Sequence, residues 1–237
     1  MTRLSLIIPC YNESKSIPLL IDRLNIINSS EKNLEIVLVN NGSTDDSLDI
    51  LKSLTHNLNY ITLVNVEKNI GYGHGILSGL RVATGKIIGW THADLQTDPI
   101  DVLKGLKIFE KSSNPELLFV KGRRHGRPFI DVVFTIGMSL FEIILLRKFM
   151  WDINAQPTLF HEDFFKKWTM PPEDFSLDLY VYYLAKKNKL SIKRFPVIFA
   201  SRVFGVSHWN VNFSAKYRFI KRTFVYSLGL FKMFNKK

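Results

Sequence analysis

Short apolar runs rich in β-branched residues alternate with stretches whose apolar residues recur at helical spacing, and the early runs end on polar residues. This alternation is the feature that most restricts the fold, because it is the pattern of βαβ units, which place parallel strands in one sheet and helices on its faces. Leu4 to Ile8 is the first run, and Ile17, Leu20, Ile21, Leu24 and Ile27 follow at helical spacing behind a cap expected at Ser14. Leu34 to Val39 reads as a second strand, closed by Asn40-Asn41-Gly42-Ser43, with Leu48, Leu51 and Leu54 on one face of the next helix. Tyr60 to Val66 repeats the strand signal. After the glycine-rich Gly71-Tyr-Gly-His-Gly75 a helix is expected to about Ala83, and Lys86 to Trp90 is a fourth strand ending at His92-Ala93-Asp94. Pro99 opens another helix at its first turn, and Leu117 to Lys121 is a fifth strand followed by a loop from Gly122 to Pro128.

Residues 129 to 146 are strongly apolar but carry Asp131 and Glu142, so no uncharged run is expected to be long enough to span a bilayer. Beyond them the pattern gives a loop from Trp151 to Gln156, a helix across Leu177 to Ala185, extended segments near Ser191 to Ala200, and a last helix from about Phe213. Ligands of open α/β sheets lie at the carboxyl ends of the strands, which predicts that Tyr11, Asn41 and Asp94 share one edge.

With 46% apolar and 22% charged residues in a chain of 237, the composition is that of one large folded domain and excludes disorder. The single cysteine, Cys10, excludes an internal disulfide and a cysteine-based zinc site, so nothing requires an oxidising compartment, and a cytoplasmic location fits. The apolar N-terminal run is too short for a signal peptide and is broken at Pro9. The net charge of +11 is uneven: residues 179 to 237 hold 13 of the 32 Lys and Arg and none of the 21 acids. Such a block attracts nucleic acid, anionic lipid or a phosphorylated substrate.

Asp94 carries the most chemistry. A carboxylate just beyond a buried strand is held rigidly at the crevice, where it either binds a hard divalent cation that bridges substrate phosphates or caps the helix near Pro99. Gln96 offers a carbonyl oxygen beside it.

Four motifs occur in order: Ile8-Pro9-Cys10-Tyr11-Asn12-Glu13, Val39-Asn40-Asn41-Gly42-Ser43-Thr44-Asp45, Asn69-Ile70-Gly71-Tyr72-Gly73 and Ala93-Asp94-Leu95-Gln96. Together they resemble family 2 glycosyltransferases of the GT-A fold, and among them the dolichyl- and polyprenyl-phosphate sugar synthases. The resemblance continues through Asp152-Ile-Asn-Ala-Gln-Pro157, Phe175-Ser-Leu-Asp178 and the stretch from Pro196 to Gly205. It implies a GT-A domain over residues 1–208, a mostly parallel sheet flanked by helices, and a basic amphipathic C-terminal helix over 209–237. It implies further that Pro9, Tyr11 and Glu13 touch the nucleoside, with Val39 and Asn41 near the base and Gly71, His92 and Ala93 among the donor-binding positions. Asp94 and Gln96 would hold Mg²⁺ or Mn²⁺ and the donor diphosphate, and Arg202 would supply a cation to that diphosphate. Two positions depart from the family: His92 stands where it usually has an Asp, and Asn40-Asn41 where it often has Asp-Asp. A neutral imidazole is a poor ligand for Mg²⁺, so His92 either joins the metal or hydrogen-bonds ribose.

The resemblance places Arg123, Arg124 and Arg127 where similar synthases bind an acceptor phosphate, a role that guanidinium geometry suits. A phosphate acceptor is already ionised and requires no strong base. A sugar-hydroxyl acceptor requires a carboxylate, for which Asp152 and Asp178 are the candidates, with Asp178 read as a helix-surface residue. The last helix lines up Phe213, Tyr217, Ile220, Phe224, Leu228 and Phe231, with Lys216, Arg218, Lys221, Arg222 and Lys232 around them. It lies either in a membrane interface or against the core with a wet basic face.

The expected reaction is therefore an inverting transfer from a nucleotide-sugar donor to a polyprenyl-phosphate or lipid-linked acceptor, by an enzyme held peripherally at the inner membrane face. The alternatives are transfer to a saccharide hydroxyl in polysaccharide or O-antigen synthesis, or sugar-nucleotide binding without catalysis. A dinucleotide-binding dehydrogenase is disfavoured because Ile76 stands where the fingerprint needs its third glycine. A nucleic-acid partner is not expected, since no reader motif occurs and residues 1–178 are slightly acidic.

Overall fold

A computed structural model of the chain describes residues 3–204 and 213–235, with side chains of the last helix described from 220 to 234. In chain order the elements are β1 (Leu4–Cys10), α1 (Ile17–Ser30), β2 (Leu34–Asn41), α2 (Ser47–Thr55), β3 (Ile61–Val66), α3 (Tyr72–Leu80) and β4 (Ile87–Trp90). Then follow α4 (Val102–Glu110), β5 (Leu118–His125), α5 (Phe129–Leu146), β6 (Thr158–His161), α6 (Glu162–Phe165), α7 (Leu177–Lys187), β7 (Ser191–Ile198) and α8 (Phe213–Asn235). The strands form one seven-stranded sheet in the order β3-β2-β1-β4-β6-β5-β7. It is the expected α/β architecture, parallel except where β6 runs antiparallel between β4 and β5.

Strand alternation builds the core. Leu4, Leu6 and Ile8 of β1 and Ile36 and Leu38 of β2 face one side, where α1, α2 and α4 bury Leu20, Leu24, Leu51, Leu106 and Phe109. Ile7, Val37 and Val39 face the other side, against Ile76, Leu77 and Leu80 of α3 and the apolar residues of α7. Strands buried on both faces read as near-continuous apolar runs, which is why the first half of the chain was legible as sheet.

Four expectations are corrected. The first helix starts at Ile17 rather than behind Ser14, whose backbone N–H instead donates to Asp45. The loop expected from Gly122 is strand as far as His125, because β7 supplies a parallel partner in register from Gly122↔Phe195 to His125↔Ile198. Asp178 is 3% exposed and so is no surface carboxylate.

The fourth correction concerns Phe129–Leu146, which is one unbroken helix of 18 residues with a mean hydropathy of 2.2, long and apolar enough to cross a membrane, and only 17% of it is buried. Its charges do not interrupt the outer face, since Asp131 sits in the first turn and Glu142 turns inward to Ser227 of α8 at 2.6 Å. α8 packs on this helix through that bond and a Phe141–Phe224 ring stack. It also leaves Ile220, Phe224, Val225 and Met233 exposed. The boundary expected at residue 208 and the side chains of Phe213, Lys216, Tyr217 and Arg218 lie outside the described residues.

Candidate active site

β1 and β4 run parallel, but the order in which strands are added to the sheet reverses between them, and that switch point is where an open α/β sheet leaves a crevice at its carboxyl edge. β1 ends at Cys10 beside Asn40 of β2, so Tyr11 and Asn41 emerge together. Tyr11 is exposed, whereas Asn41 is buried. The Asn41 amide donates to the Gly71 carbonyl at 3.0 Å, joining the β2 edge to the start of α3. Its Oδ1 is buried and has no partner. Gly75 permits this placement: a Cβ there would lie 2.8 Å from Asn41 Cγ. Gly42 turns the chain out of β2 at φ +71°, and a Cβ on it would collide with the backbone of Lys68 and Asn69.

β4 delivers Asp94 to the same edge. Asp94 is 7% exposed; one oxygen accepts the Gln96 backbone N–H at 3.1 Å and the other is held by Arg202 at 2.7 Å. Leu95 between them has a positive φ of 58°, a strained conformation of the kind that concentrates at binding loops. Arg202 also reaches Glu13 at 3.6 Å, so one guanidinium bridges carboxylates from the ends of β1 and β4. Burial pushes the Glu13 carboxyl up, against the lowering effects of Ser16 and Arg202. Gln96 ties the segment carrying Arg202 to this loop, donating its side-chain amide to Ala200 O at 3.2 Å while its own carbonyl accepts from Ala200 N.

His92 and Tyr72 lie against each other, ring centroids 5.4 Å apart, and Tyr72 stacks on Phe175 at 4.8 Å. Burial lowers the His92 pKa, which favours the neutral imidazole. Beneath this pair, Gln156 donates to Tyr72 at 3.3 Å and to Asp178 at 2.9 Å, and Asp178 faces the fully buried Lys121 at 3.3 Å. Val39 does not line the crevice with its side chain, which is fully buried between the sheet and α3. Ala93 is buried too, and Pro9 sits opposite Val39 in the β1–β2 register.

The arginines divide. Because β5 continues through them, successive side chains point to opposite faces, and Arg123 is exposed while Arg124 turns inward. Arg124 binds Asp152 through Nε at 2.8 Å and through its backbone N–H at 3.0 Å, and Arg127 and Arg194 approach the same carboxylate at 3.7 and 3.6 Å. Burial alone would raise the Asp152 pKa, but the guanidinium groups outweigh it and hold the carboxyl below its ordinary value. Sequence reasoning missed Arg194 and Lys121, whose only signal was polarity within strands, and it quoted Tyr72 and Gln156 inside its motifs without giving them a role.

Among the described residues no three acids, histidines or cysteines converge as a ready cation cage. The donor set fits a divalent cation in another way: hard cations are commonly held by one or two carboxylates together with substrate phosphates, and Asp94 stands at the crevice beside an arginine suited to the same phosphates.

Residues 5–124 match the family described as Glycosyl transferase family 2. Over 111 residues the chain is 32% identical to an undecaprenyl-phosphate 4-deoxy-4-formamido-L-arabinose transferase of Photorhabdus laumondii, covering 46% of this chain and 34% of that protein. The chain thus spans about a third of the length of the curated relatives it matches. Among solved structures it is similar to a mannosyltransferase from Pyrobaculum calidifontis in complex with GDP-Man and Mn²⁺ (TM-score 0.68, 19% identity, 95% of this chain and 64% of that one). It is also similar to glucosyl-3-phosphoglycerate synthase from Mycobacterium tuberculosis in complex with Mn²⁺, UDP and glucosyl-3-phosphoglycerate (TM-score 0.70, 14% identity, 96% and 80%). At these identities the likeness is one of fold.

Proposed function

The chain belongs to glycosyl transferase family 2, and from that premise we propose that it moves a sugar from a nucleoside-diphosphate sugar to a polyprenyl-phosphate acceptor with inversion at the anomeric carbon. The observation that carries the reading is the Asp94–Arg202–Glu13 cluster at the carboxyl edge of β1 and β4. The base lies against Tyr11 and Asn41, where Asn41 Oδ1 accepts an N–H that it lacks within the protein. Arg202 turns to the diphosphate, whose negative charge grows as the bond to the anomeric carbon breaks; donors aimed at developing charge are the largest single source of such catalysis. A divalent cation, Mg²⁺ or Mn²⁺, held by Asp94 with Gln96 near it, would neutralise the same diphosphate. His92, buried and neutral, is available to the ribose or the sugar.

The acceptor phosphate oxygen attacks the anomeric carbon from the face opposite the diphosphate, already ionised and requiring no proton acceptor. Arg124 and Arg127 hold that phosphate, pre-aimed by Asp152, and Arg123 meets it only at the outer rim. Asp152, surrounded by three guanidinium groups and kept ionised by them, serves as their anchor and is a poor base. Were the acceptor a sugar hydroxyl, Asp178 would be the better candidate, since its hydrogen bonds lead through Gln156 to Tyr72 at the crevice.

The exposed apolar sides of α5 and α8, with the basic residues around α8, support peripheral attachment to an anionic membrane, each cation there adding about 1 kcal/mol. We place the enzyme at the cytoplasmic face, where nucleotide sugars occur. The test is a thermal-shift screen of UDP-, GDP- and CDP-sugars with and without Mn²⁺, since a ligand of the native state raises its stability. One donor should stabilise the protein only with Mn²⁺, and Asp94→Asn should lose that response. A variant that responds like the wild type removes Asp94 from the metal and with it this reading.

A further inference from the structure

A cleft opens between α5, α7 and α8, lined among others by Arg124, Thr135, Ser139, Glu142, Leu179 and Thr223. Most polar groups of its wall are bonded within the protein, Thr135 to Asp131 and Arg127, and Arg124 to Asp152, so the group left to call for a ligand is the Glu142 carboxyl. Glu142 is 1% exposed; one oxygen accepts from Ser227 at 2.6 Å, and the other is buried without a partner. Burial pushes the Glu142 carboxyl up to about 7, with only the Ser227 hydroxyl opposing it. A buried carboxyl left half-satisfied is destabilising, and a cationic donor would relieve that cost. Thr135, two turns of α5 or about 10 Å before Glu142, is reached by Arg127 at 2.8 Å, and Arg124 also lines the cleft. The cleft therefore offers a carboxyl and, about two turns of α5 away, guanidinium groups, while α5 also exposes Ile130, Val133 and Ile144.

We propose that this cleft binds the head of a zwitterionic phospholipid bearing a primary amine, the ammonium donating to the free oxygen of Glu142 and the phosphate facing Arg124 and Arg127. The inference rests on the membrane reading of α5 and α8. It adds a lipid that occupies the arginine pair until an acceptor phosphate displaces it. Charge complementarity selects this occupant: an anionic head leaves Glu142 unpaired and a quaternary ammonium brings no N–H.

The experiment is calorimetric titration of the full chain with dihexanoyl phosphatidylethanolamine and dihexanoyl phosphatidylcholine below their micelle concentrations, which differ only in the N-methyl groups. The wild type should prefer the ethanolamine lipid about tenfold, the size of a charge-assisted hydrogen bond. Glu142→Gln should reduce the preference to below about twofold, and Ser227→Ala, which leaves the free oxygen in place, should keep it. Equal binding of the two lipids by the wild type, or an undiminished preference in Glu142→Gln, overturns the proposal. Glycerophosphoethanolamine, which has the head without chains, should bind at least about tenfold more weakly; equal binding overturns the lipid source. Nucleotide-sugar stabilisation measured on the same samples should survive in every variant. Its absence from all of them, wild type included, would count against the glycosyltransferase reading and leave the lipid result standing.

Discussion

Replacing Lys121 by Met should destabilise the protein strongly, and a second change at Asp178 should restore most of the loss. The Lys121 side chain is 0% exposed and that of Asp178 2%, with 3.3 Å between nitrogen and oxygen. Burial lowers the Lys121 pKa from 10.5 to about 8, against the raising effect of Asp178. That drop corresponds to on the order of 3 kcal/mol by which the surroundings as a whole, burial less the attraction of Asp178, disfavour the charged form. The unfolded chain holds this proton more tightly, so below pH 8 the group opposes folding in full, and stability rises as pH climbs from about 8 to 10.5. Lys121→Met removes that penalty but strands a buried carboxylate whose remaining partner is Gln156, a loss of about 3–5 kcal/mol. Adding Asp178→Asn to Lys121→Met keeps an oxygen for Gln156 and removes the charge, so the double variant should lie within about 1 kcal/mol of the wild type. Urea unfolding of the wild type, the two single variants and the double variant at about pH 7.5 gives the coupling directly. Additivity within about 0.5 kcal/mol would mean that the two groups do not share one buried charge pair, and the description of the floor beneath Tyr72 would be wrong.

Asp152→Asn should cost about 3–5 kcal/mol, since it leaves Arg124, Arg127 and Arg194 facing one another; it should also raise KM for the lipid acceptor while leaving nucleotide-sugar stabilisation unchanged. Gly75→Ala places a methyl 2.8 Å from Asn41 Cγ and should weaken donor binding by about tenfold, a loss of about 1.4 kcal/mol, seen as a smaller thermal shift with the same sugar nucleotide. Ile130→Asp with Ile144→Asp, both at exposed positions of α5, should abolish flotation with anionic vesicles and move the unfolding midpoint little; unaltered flotation would remove α5 from the membrane contact.

What the sequence revealed follows from what is local. β1, β2 and β4 are buried on both faces, so their apolar runs announced strands and their polar ends announced the crevice; Asn41 and Asp94 were found that way. β6 was missed because four residues carry no period, and its place between β4 and β5 depends on a long return of the chain that no local signal encodes. Continuation of β5 to His125 was hidden for the same reason, since β7, its partner, lies about seventy residues on. That one difference divides the arginines, turning Arg124 to Asp152 and Arg123 to solvent, which composition of the loop had grouped together. Asp178 looked like a surface carboxylate because an acid in a helix is seldom buried unless paired, and only the packed structure reveals Lys121 opposite it.

If Asp94 holds the cation and Arg202 the diphosphate, as proposed, the same pair sets the order in which ligands are taken. With the guanidinium at 2.7 Å from the Asp94 carboxylate, a cation arriving alone must break that pair and receives a single carboxylate in return. Arriving with a diphosphate, it gives Arg202 a partner of greater charge and gains phosphate oxygens for itself. Metal and nucleotide should therefore bind with positive coupling, and because coupling is reciprocal each must tighten the other by the same factor. Arg202→Met frees Asp94 and removes the phosphate partner, so affinity for Mn²⁺ alone should rise by about tenfold while affinity for the sugar nucleotide falls and the coupling shrinks. Titrating Mn²⁺ with and without nucleotide, in wild type and variant, measures all four constants. A variant whose metal affinity without nucleotide equals that of the wild type would show that Arg202 does not hold Asp94 before the donor arrives.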